Sequence, residues 1–185
     1  MPRDFNHDIL DLIKARWSPR AFSAEPVAMP ELLALCEAAR YAPSCFNEQP
    51  WRFILATTPD ELAKMQSILA ESNLEWAQHA PALLLILAKK TFSETGQDNY
   101  WHMFDAGTAW GYLSLEAQSR GLITHGMGGF SKKKAQELYQ LPSDLAPMAV
   151  IAIGKLGQRD NLPEPLQARE HPGERENLES LFFKQ

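Results

Sequence analysis

Apolar positions recur along this chain with two periods, one typical of helices and one typical of strands. Helical spacing is seen over about residues 9–16, 30–42, 58–70, 73–79, 98–120 and 132–139. Short β-rich or aliphatic runs occur over about residues 51–57, 81–89, 122–127 and 148–153. Because strands alternate with helices, the pattern predicts an α/β or α+β sandwich built around one sheet.

The longest helical pattern runs from about Asp98 to Arg120 and ends at Gly121, since glycine commonly follows the last turn of a helix. Its apolar side chains surround most of the helix instead of keeping to one stripe. A helix that is apolar all round is buried on all sides. In a chain of 185 residues, this requires either a central position in the domain or contact with a partner subunit.

Residues 154–185 differ in composition from the rest of the chain, because they carry three prolines and many charges. The apolar residues near their end are Leu178, Leu181, Phe182 and Phe183. Such a segment is too polar to hold a core alone and ends too apolar for plain disorder. We expect one domain over residues 1–185, with residues 155–185 as a C-terminal arm that contacts a partner subunit. The alternative is a tail folded back on its own domain.

The composition argues against several classes of function. A net charge of −5 and a pI near 5.5 disfavour a nucleic-acid-binding protein, which usually carries a basic face. The longest aliphatic run, residues 81–88, is far shorter than the roughly 20 residues that span a bilayer, so no membrane segment is expected. Cys36 and Cys45 lack the spacing of zinc ligands, and no metal site is expected. Few cysteines and an acidic N-terminus favour the cytoplasm.

The first of three segments with candidate chemistry is Arg16-Trp17-Ser18-Pro19-Arg20, which follows the first predicted helix. Two guanidiniums and a hydroxyl within five residues suit the oxygens of a phosphate. For so short a motif, solvated arginines at a helix end are the alternative.

The second segment, residues 42–51, reads Ala-Pro-Ser-Cys-Phe-Asn-Glu-Gln-Pro-Trp and leads from a helix into a strand. Ser44 and Asn47 offer hydroxyl and amide groups that suit a ligand with donors and acceptors on its edge. Two prolines stiffen the loop, which lowers the entropy lost on binding. A turn that merely connects two elements is the alternative.

The third segment, residues 124–130, reads Thr-His-Gly-Met-Gly-Gly-Phe between a predicted strand and a predicted helix. Glycines there allow a backbone N–H to approach a ligand closely. The segment does not match G-x-G-x-x-G, so a Rossmann dinucleotide site is not supported. Taken alone, it is no better than a flexible turn.

Together, the three segments resemble the pattern of the nitroreductase family of FMN-dependent flavoproteins. That family has an Arg-Arg-Ser-x-Arg-like opening, an Ala-Pro-Ser-Ser-x-Asn-x-Gln-Pro-Trp segment and a glycine-containing turn from strand to helix. This chain departs from the pattern at Cys45, where a second Ser is usual, and at Trp17, where Arg or His is common. The resemblance implies an α+β fold, an α/β/α sandwich whose central sheet is mostly antiparallel, in an intertwined homodimer.

The resemblance also implies which residues bind FMN. Those that would hold its phosphate and ribityl chain are Arg16, Trp17 (through its backbone), Ser18 and Arg20. Those that would line the flavin from the other subunit are Pro43, Ser44, Cys45 and Asn47. Those that would lie along the isoalloxazine edge, with a backbone N–H bonded to N5, are Gly128 and Gly129, and the preceding Met127 is also expected to bind the cofactor. A basic tail residue would complete the phosphate site, with Arg175 as the candidate and Lys155 as the alternative.

The implied function is an oxidoreductase that passes hydride from NAD(P)H, through bound FMN, to a nitroaromatic, quinone or similar electrophile. Because the flavin performs the chemistry, no side chain needs to act as nucleophile or base. The same resemblance covers enone reduction, dehalogenation and oxygen-dependent flavin breakdown. A non-catalytic flavin-binding redox module and an interaction protein without the cofactor also stay open. Contact of Phe46 or Phe130 with the flavin is left open, and His102 with Asp105 is interpreted as a structural pair.

Overall fold

Four strands form one antiparallel sheet in the computed structural model, which describes residues 5–183. The strands are β1 (Trp51–Ala56), β2 (Ala82–Lys89), β3 (Ile123–Met127) and β4 (Leu145–Gly154), in the order β1-β2-β4-β3. The α-helices are α1 (Asp11–Ala15), α2 (Met29–Arg40), α3 (Pro59–Gln66), α4 (Glu71–Ala77), α5 (His102–Ser119), α6 (Lys132–Leu138) and α7 (Glu164–Gln167). Short 3-10 turns cover Cys45–Asn47, Arg159–Asn161 and Leu178–Leu181.

Strand β2 lies inside the sheet and is buried on both faces, because its aliphatic side chains meet helices on either side. It pairs with β1 from Trp51↔Ala88 onward and with β4 from Ala82↔Ile153 onward. One hydrophobic cluster includes residues of α3, α4 and α6, and the other includes residues of α2 and α5. The expected α/β/α sandwich with an antiparallel sheet is therefore confirmed, and the homodimer stays a prediction.

The helix predicted over residues 58–70 ends earlier, at Gln66. Its start is as expected, since Thr58 and Glu61 form a reciprocal capping box. The chain then leaves the helix because Leu69 pairs with Phe130 in a β-bridge and the Ala70 N–H donates to the Gly129 carbonyl at 3.0 Å. Local periodicity could not reveal this long-range pairing, which separates α3 from α4.

Helix α5 begins at His102, later than predicted, and buries only one of its faces. Small residues, Ala106 and Ala109 among them, let that face approach the sheet closely. The opposite side of its first turns exposes large side chains, with Phe104 72% exposed. Burial on all sides therefore does not occur within one chain. Within residues 5–183, no helix, this one included, is long and apolar enough to cross a membrane.

The tail divides into two parts. Its first part folds back on its own chain, because Leu156 pairs with Phe22 and the buried Leu162 joins the core. Its last residues expose apolar side chains, with Phe183 94% exposed. The first part therefore packs on its own domain, and contact of residues 155–185 with a partner subunit stays a prediction.

Candidate functional site

The first and third candidate segments meet beside strand β3. The carbonyl oxygen of Pro19 lies 2.9 Å from Nδ1 of His125, a residue of β3. Because a carbonyl oxygen can only accept, Nδ1 carries the proton and donates it. Burial lowers the pKa of His125, and its ring lies 4.5 Å from the Trp76 ring. His125, left without a role in the sequence, therefore joins two of the three segments.

Arg20 presents its guanidinium at this junction. Among residues 5–183, the guanidinium forms an ion pair with Glu170, in which Nη1 of Arg20 lies 3.9 Å from Oε2 of Glu170. No hydrogen bond of those residues uses an Arg20 side-chain donor. The neighbouring Arg16 donates from Nη1 to the Ser18 hydroxyl at 3.3 Å. Trp17 is half-buried between them.

Gly128 and Gly129 follow β3 and lie at the surface. The Gly129 carbonyl accepts the side-chain amide of Asn73 at 2.9 Å, and a Cβ on Gly129 would lie only 2.7 Å from that nitrogen. A Cβ on Gly128 would meet no atom within 4 Å. Among the hydrogen bonds of residues 5–183, none has the N–H of Gly128 or Gly129 as its donor. Both N–H groups are therefore available to a ligand, beside the buried Met127.

The second segment forms a strained loop between α2 and β1. Phe46, Asn47 and Gln49 have φ angles of 51°, 56° and 50°, a region that side chains rarely adopt. The Ser44 hydroxyl accepts the Gln49 N–H at 2.9 Å, which closes the loop. Pro43 and Asn47 are exposed, and the Phe46 side chain is 90% exposed.

The structure does not bring the second segment to the other two within one chain. It precedes β1, whereas the glycines follow β3, and these strands are the two edges of the sheet. Three strand spacings separate the edges, a distance of about 14 Å. Phe46 contacts Phe92 with ring centroids 6.0 Å apart, and Phe130 packs on the core.

Asp105 and Glu170 bind backbone N–H groups in or beside the candidate segments, a role that the sequence did not reveal. Asp105 is buried in the first turn of α5, and its Oδ2 accepts the Cys45 N–H at 3.2 Å. Burial raises the pKa of the Asp105 carboxyl, against that hydrogen bond. An acidic residue among the apolar residues of this helix could have drawn attention to Asp105. Its spacing of three residues from His102, however, suggested a pair within the helix. Glu170 lies in a charged tail, where nothing distinguishes it from its neighbours.

The two basic tail candidates make other contacts. Arg175 donates from Nη1 to the carbonyls of Gly173 and Glu174, at 3.1 and 2.9 Å. Lys155 pairs with Glu25 at 2.6 Å. The contacts of residues 5–183 bring neither of them to the arginines of the first segment, so their part in a phosphate site stays a prediction. Those residues also include no group of three metal-ligating side chains.

Comparison with known proteins decides the family. The model of the nitroreductase family matches residues 13–78 and 65–155, which together span most of the chain. The chain belongs to the nitroreductase family. All three candidate segments fall inside the matched residues, and the tail lies beyond them.

Relatives within the nitroreductase family differ in the chemistry that their names state. A crystal structure described as an oxidoreductase containing FMN is 36% identical, with a TM-score of 0.94, and covers 98% of this chain and 94% of that one. The NADH dehydrogenase of Thermus thermophilus is 26% identical, and the match covers 75% of this chain and 82% of that protein. The iodotyrosine deiodinase of Thermotoga neapolitana is 25% identical, and the match covers 79% of this chain and 87% of that protein.

Proposed function

We propose that this chain is an FMN-dependent oxidoreductase that uses NAD(P)H to reduce a small electrophile such as a nitroaromatic or a quinone. The observation that carries the proposal is the junction of Pro19 with His125. It joins the arginine segment to strand β3, which leads directly into Gly128 and Gly129 with their available N–H groups. The 36% identical structure that contains FMN supports the choice of cofactor.

The residues at the junction fit FMN chemically. Its phosphate needs cationic donors, and the Arg20 guanidinium has donors that no hydrogen bond of residues 5–183 uses. Arg16, Ser18 and the backbone at Trp17 would add to that grip. The edge of the flavin needs backbone donors at close approach, and Gly128 combines an available N–H with open space.

A second copy of the chain would complete each site. The loop with Ser44, Cys45 and Asn47 lies at the far edge of the sheet, so we propose that it serves the flavin of the partner. Exposed apolar side chains at the start of α5 support an extensive contact between copies, since large exposed patches mark interaction sites. The apolar end of the tail, up to Phe183, would reach across the same contact.

When bound, FMN supplies an acceptor and donor of hydride, so the protein has to bind, orient and shield it. Arg20 would place positive charge beside an anionic cofactor, and the glycine N–H groups would fix the ring by donating to its edge. Phe46 and Phe92 would border the space left for a flat substrate. No side chain of this set needs to accept a proton.

An absorbance spectrum followed by anaerobic addition of NADH and then NADPH tests the proposal. We expect a yellow protein that bleaches with at least one nucleotide and regains its colour with a quinone. A colourless protein that fails to take up added FMN would overturn the cofactor. A yellow protein that neither nucleotide bleaches would overturn the choice of electron donor.

Reductive dehalogenation is a second candidate, because the deiodinase of Thermotoga neapolitana matches 79% of this chain. The same reduced cofactor would then serve a halogenated aromatic acceptor. Steady-state turnover of an iodophenol and of a nitrophenol, under the same reductant, separates the two candidates. Release of iodide without nitro reduction would favour dehalogenation.

A further inference from the structure

Glu170 is the point at which the C-terminal tail contacts the arginine segment. Its Oε1 accepts two consecutive backbone N–H groups, from Arg20 at 2.7 Å and from Ala21 at 2.8 Å. The contact joins positions 150 residues apart in sequence. Bonds to an ionised carboxylate are stronger than neutral ones, so this contact holds the backbone of the segment firmly.

The carboxylate is deeply buried, which makes its charge matter. The Glu170 side chain is 3% exposed, and no hydrogen bond of the described residues reaches its Oε2. That oxygen lies 3.9 Å from Nη1 of Arg20, beyond hydrogen-bond distance. A desolvated charge at this distance acts strongly on its neighbour, because little water screens the pair.

Contacts of the preceding tail residues hold Glu170 in place. Leu162 and Leu166 anchor the preceding residues on the core. Gln167 ties α7 down, since its carbonyl accepts Nε of Arg159 at 2.7 Å and its amide donates to the Leu162 carbonyl at 2.8 Å. Glu170 follows within the same short stretch, so its position is determined by packing and hydrogen bonds together.

We propose that Glu170 is a positioning residue for the cofactor site. Through Oε1 it orders the Arg20 backbone, and through Oε2 it reduces the positive charge that Arg20 presents to the bound group. The inference rests on the proposed function, in which Arg20 binds the FMN phosphate and places positive charge beside the anionic cofactor. It assigns a role to a tail residue outside the matched family region.

Two substitutions separate the two effects. Glu170→Gln removes the charge but keeps an oxygen that can accept the two N–H groups. Glu170→Ala removes the charge and the accepting oxygen. The dissociation constant of FMN is measured from the quenching of flavin fluorescence. The midpoint potential of the bound flavin is measured by titration against a reference dye. Glu174→Gln, an exposed acid of the same tail, is the charge control. Leu35→Val, in the buried face of α2, is the stability control.

We expect Glu170→Ala to weaken FMN binding at least tenfold, beyond any effect of Leu35→Val. We expect Glu170→Gln to bind FMN within about threefold of the parent and to raise the midpoint potential, because loss of a nearby negative charge stabilises the reduced anionic flavin. Glu174→Gln should change neither quantity.

Two results would overturn the inference. If Glu170→Ala folds and binds FMN as tightly as the parent, Glu170 does not position the segment. If Glu170→Gln leaves the potential unchanged, its charge does not act on the bound flavin. Failure of the parent itself to bind FMN would instead overturn the proposed function, so the two failures are distinguishable.

Discussion

The carboxylate of Asp105 accepts the backbone N–H of Cys45 at 3.2 Å, so the first turn of α5 holds the loop that follows α2. That loop contains three residues at positive φ, each of which costs free energy and persists only because its surroundings impose it. Asp105 supplies one such restraint, and the Ser44 hydroxyl supplies another.

Replacing Asp105 by Ala should therefore loosen the loop. The Cys45 N–H would lose its acceptor, at a cost of about 1–3 kcal/mol in the free energy of unfolding. We expect FMN affinity to fall about tenfold because Ser44 and Asn47 would no longer be held in one arrangement. Urea unfolding and FMN titration measure the two effects.

Asp105→Asn is the matched control, since its side chain keeps an oxygen in the same place. It should retain most of the affinity for FMN. An Ala variant that binds FMN as tightly as the parent would show that the loop needs no support from α5.

Removal of the Arg16 side chain should weaken FMN retention while leaving the fold intact. A hydrogen bond to a charged group contributes about 1.5–3 kcal/mol, which corresponds to roughly 10- to 150-fold in affinity. Equilibrium dialysis of Arg16→Ala against FMN measures the loss, and circular dichroism checks the fold. Arg169→Ala, an exposed arginine of the tail, is the control and should bind FMN normally. Unchanged affinity in Arg16→Ala would remove Arg16 from the site.

The helices and strands follow from the sequence because their periodicity is local. The run that forms β2 is aliphatic throughout, and Thr58 with Glu61 marks a helix start. The end of α3 does not follow from local pattern, since it depends on the bridge from Leu69 to Phe130. Strand β4 also begins earlier than expected, at Leu145, because it pairs with the full length of β2.

The sequence predicted the three motifs of the candidate site but not their arrangement in space. Resemblance pointed to the arginine segment, the loop and the glycines, each a contiguous stretch of sequence. The residues that hold those motifs are distant in sequence, as Glu170 is from Arg20 and Asp105 is from Cys45. Single acids of this kind leave no pattern, because only folding brings them to the backbone groups that they bind.

Gly128→Ala should leave the stability of the apoprotein almost unchanged, within about 0.5 kcal/mol, because its Cβ would meet no atom within 4 Å. It should nevertheless weaken FMN binding, since a methyl group would occupy the space in which the flavin approaches the backbone. Thermal unfolding without cofactor and FMN titration give the two quantities. Gly173→Ala, in the tail, is the control. Full affinity in Gly128→Ala would place the flavin elsewhere.

Phe104→Lys should prevent self-association, because it sets a charge in the exposed apolar surface at the start of α5. If each site is shared, the monomer should also lose FMN. Sedimentation velocity and the flavin-to-protein ratio are measured on the same sample. Glu75→Lys, on α4 at the opposite face of the sheet, is the charge control and should remain dimeric. A flavin-loaded monomer would contradict the shared site.

The stability of the protein should fall as the pH drops below the ordinary pKa of histidine, about 6.5. Burial lowers the pKa of His125, opposed by the Pro19 carbonyl, while Arg20 lowers it further and Glu170 raises it. Below pH 6.5 the unfolded chain takes up a proton that the folded chain does not, so each pH unit removes up to about 1.4 kcal/mol until the folded ring is protonated too. His125→Asn keeps a donor for Pro19 and does not titrate. Urea unfolding at pH 8 and at pH 5.5 should show a larger loss for the parent than for this variant, and equal losses would mean that His125 is protonated equally in both states.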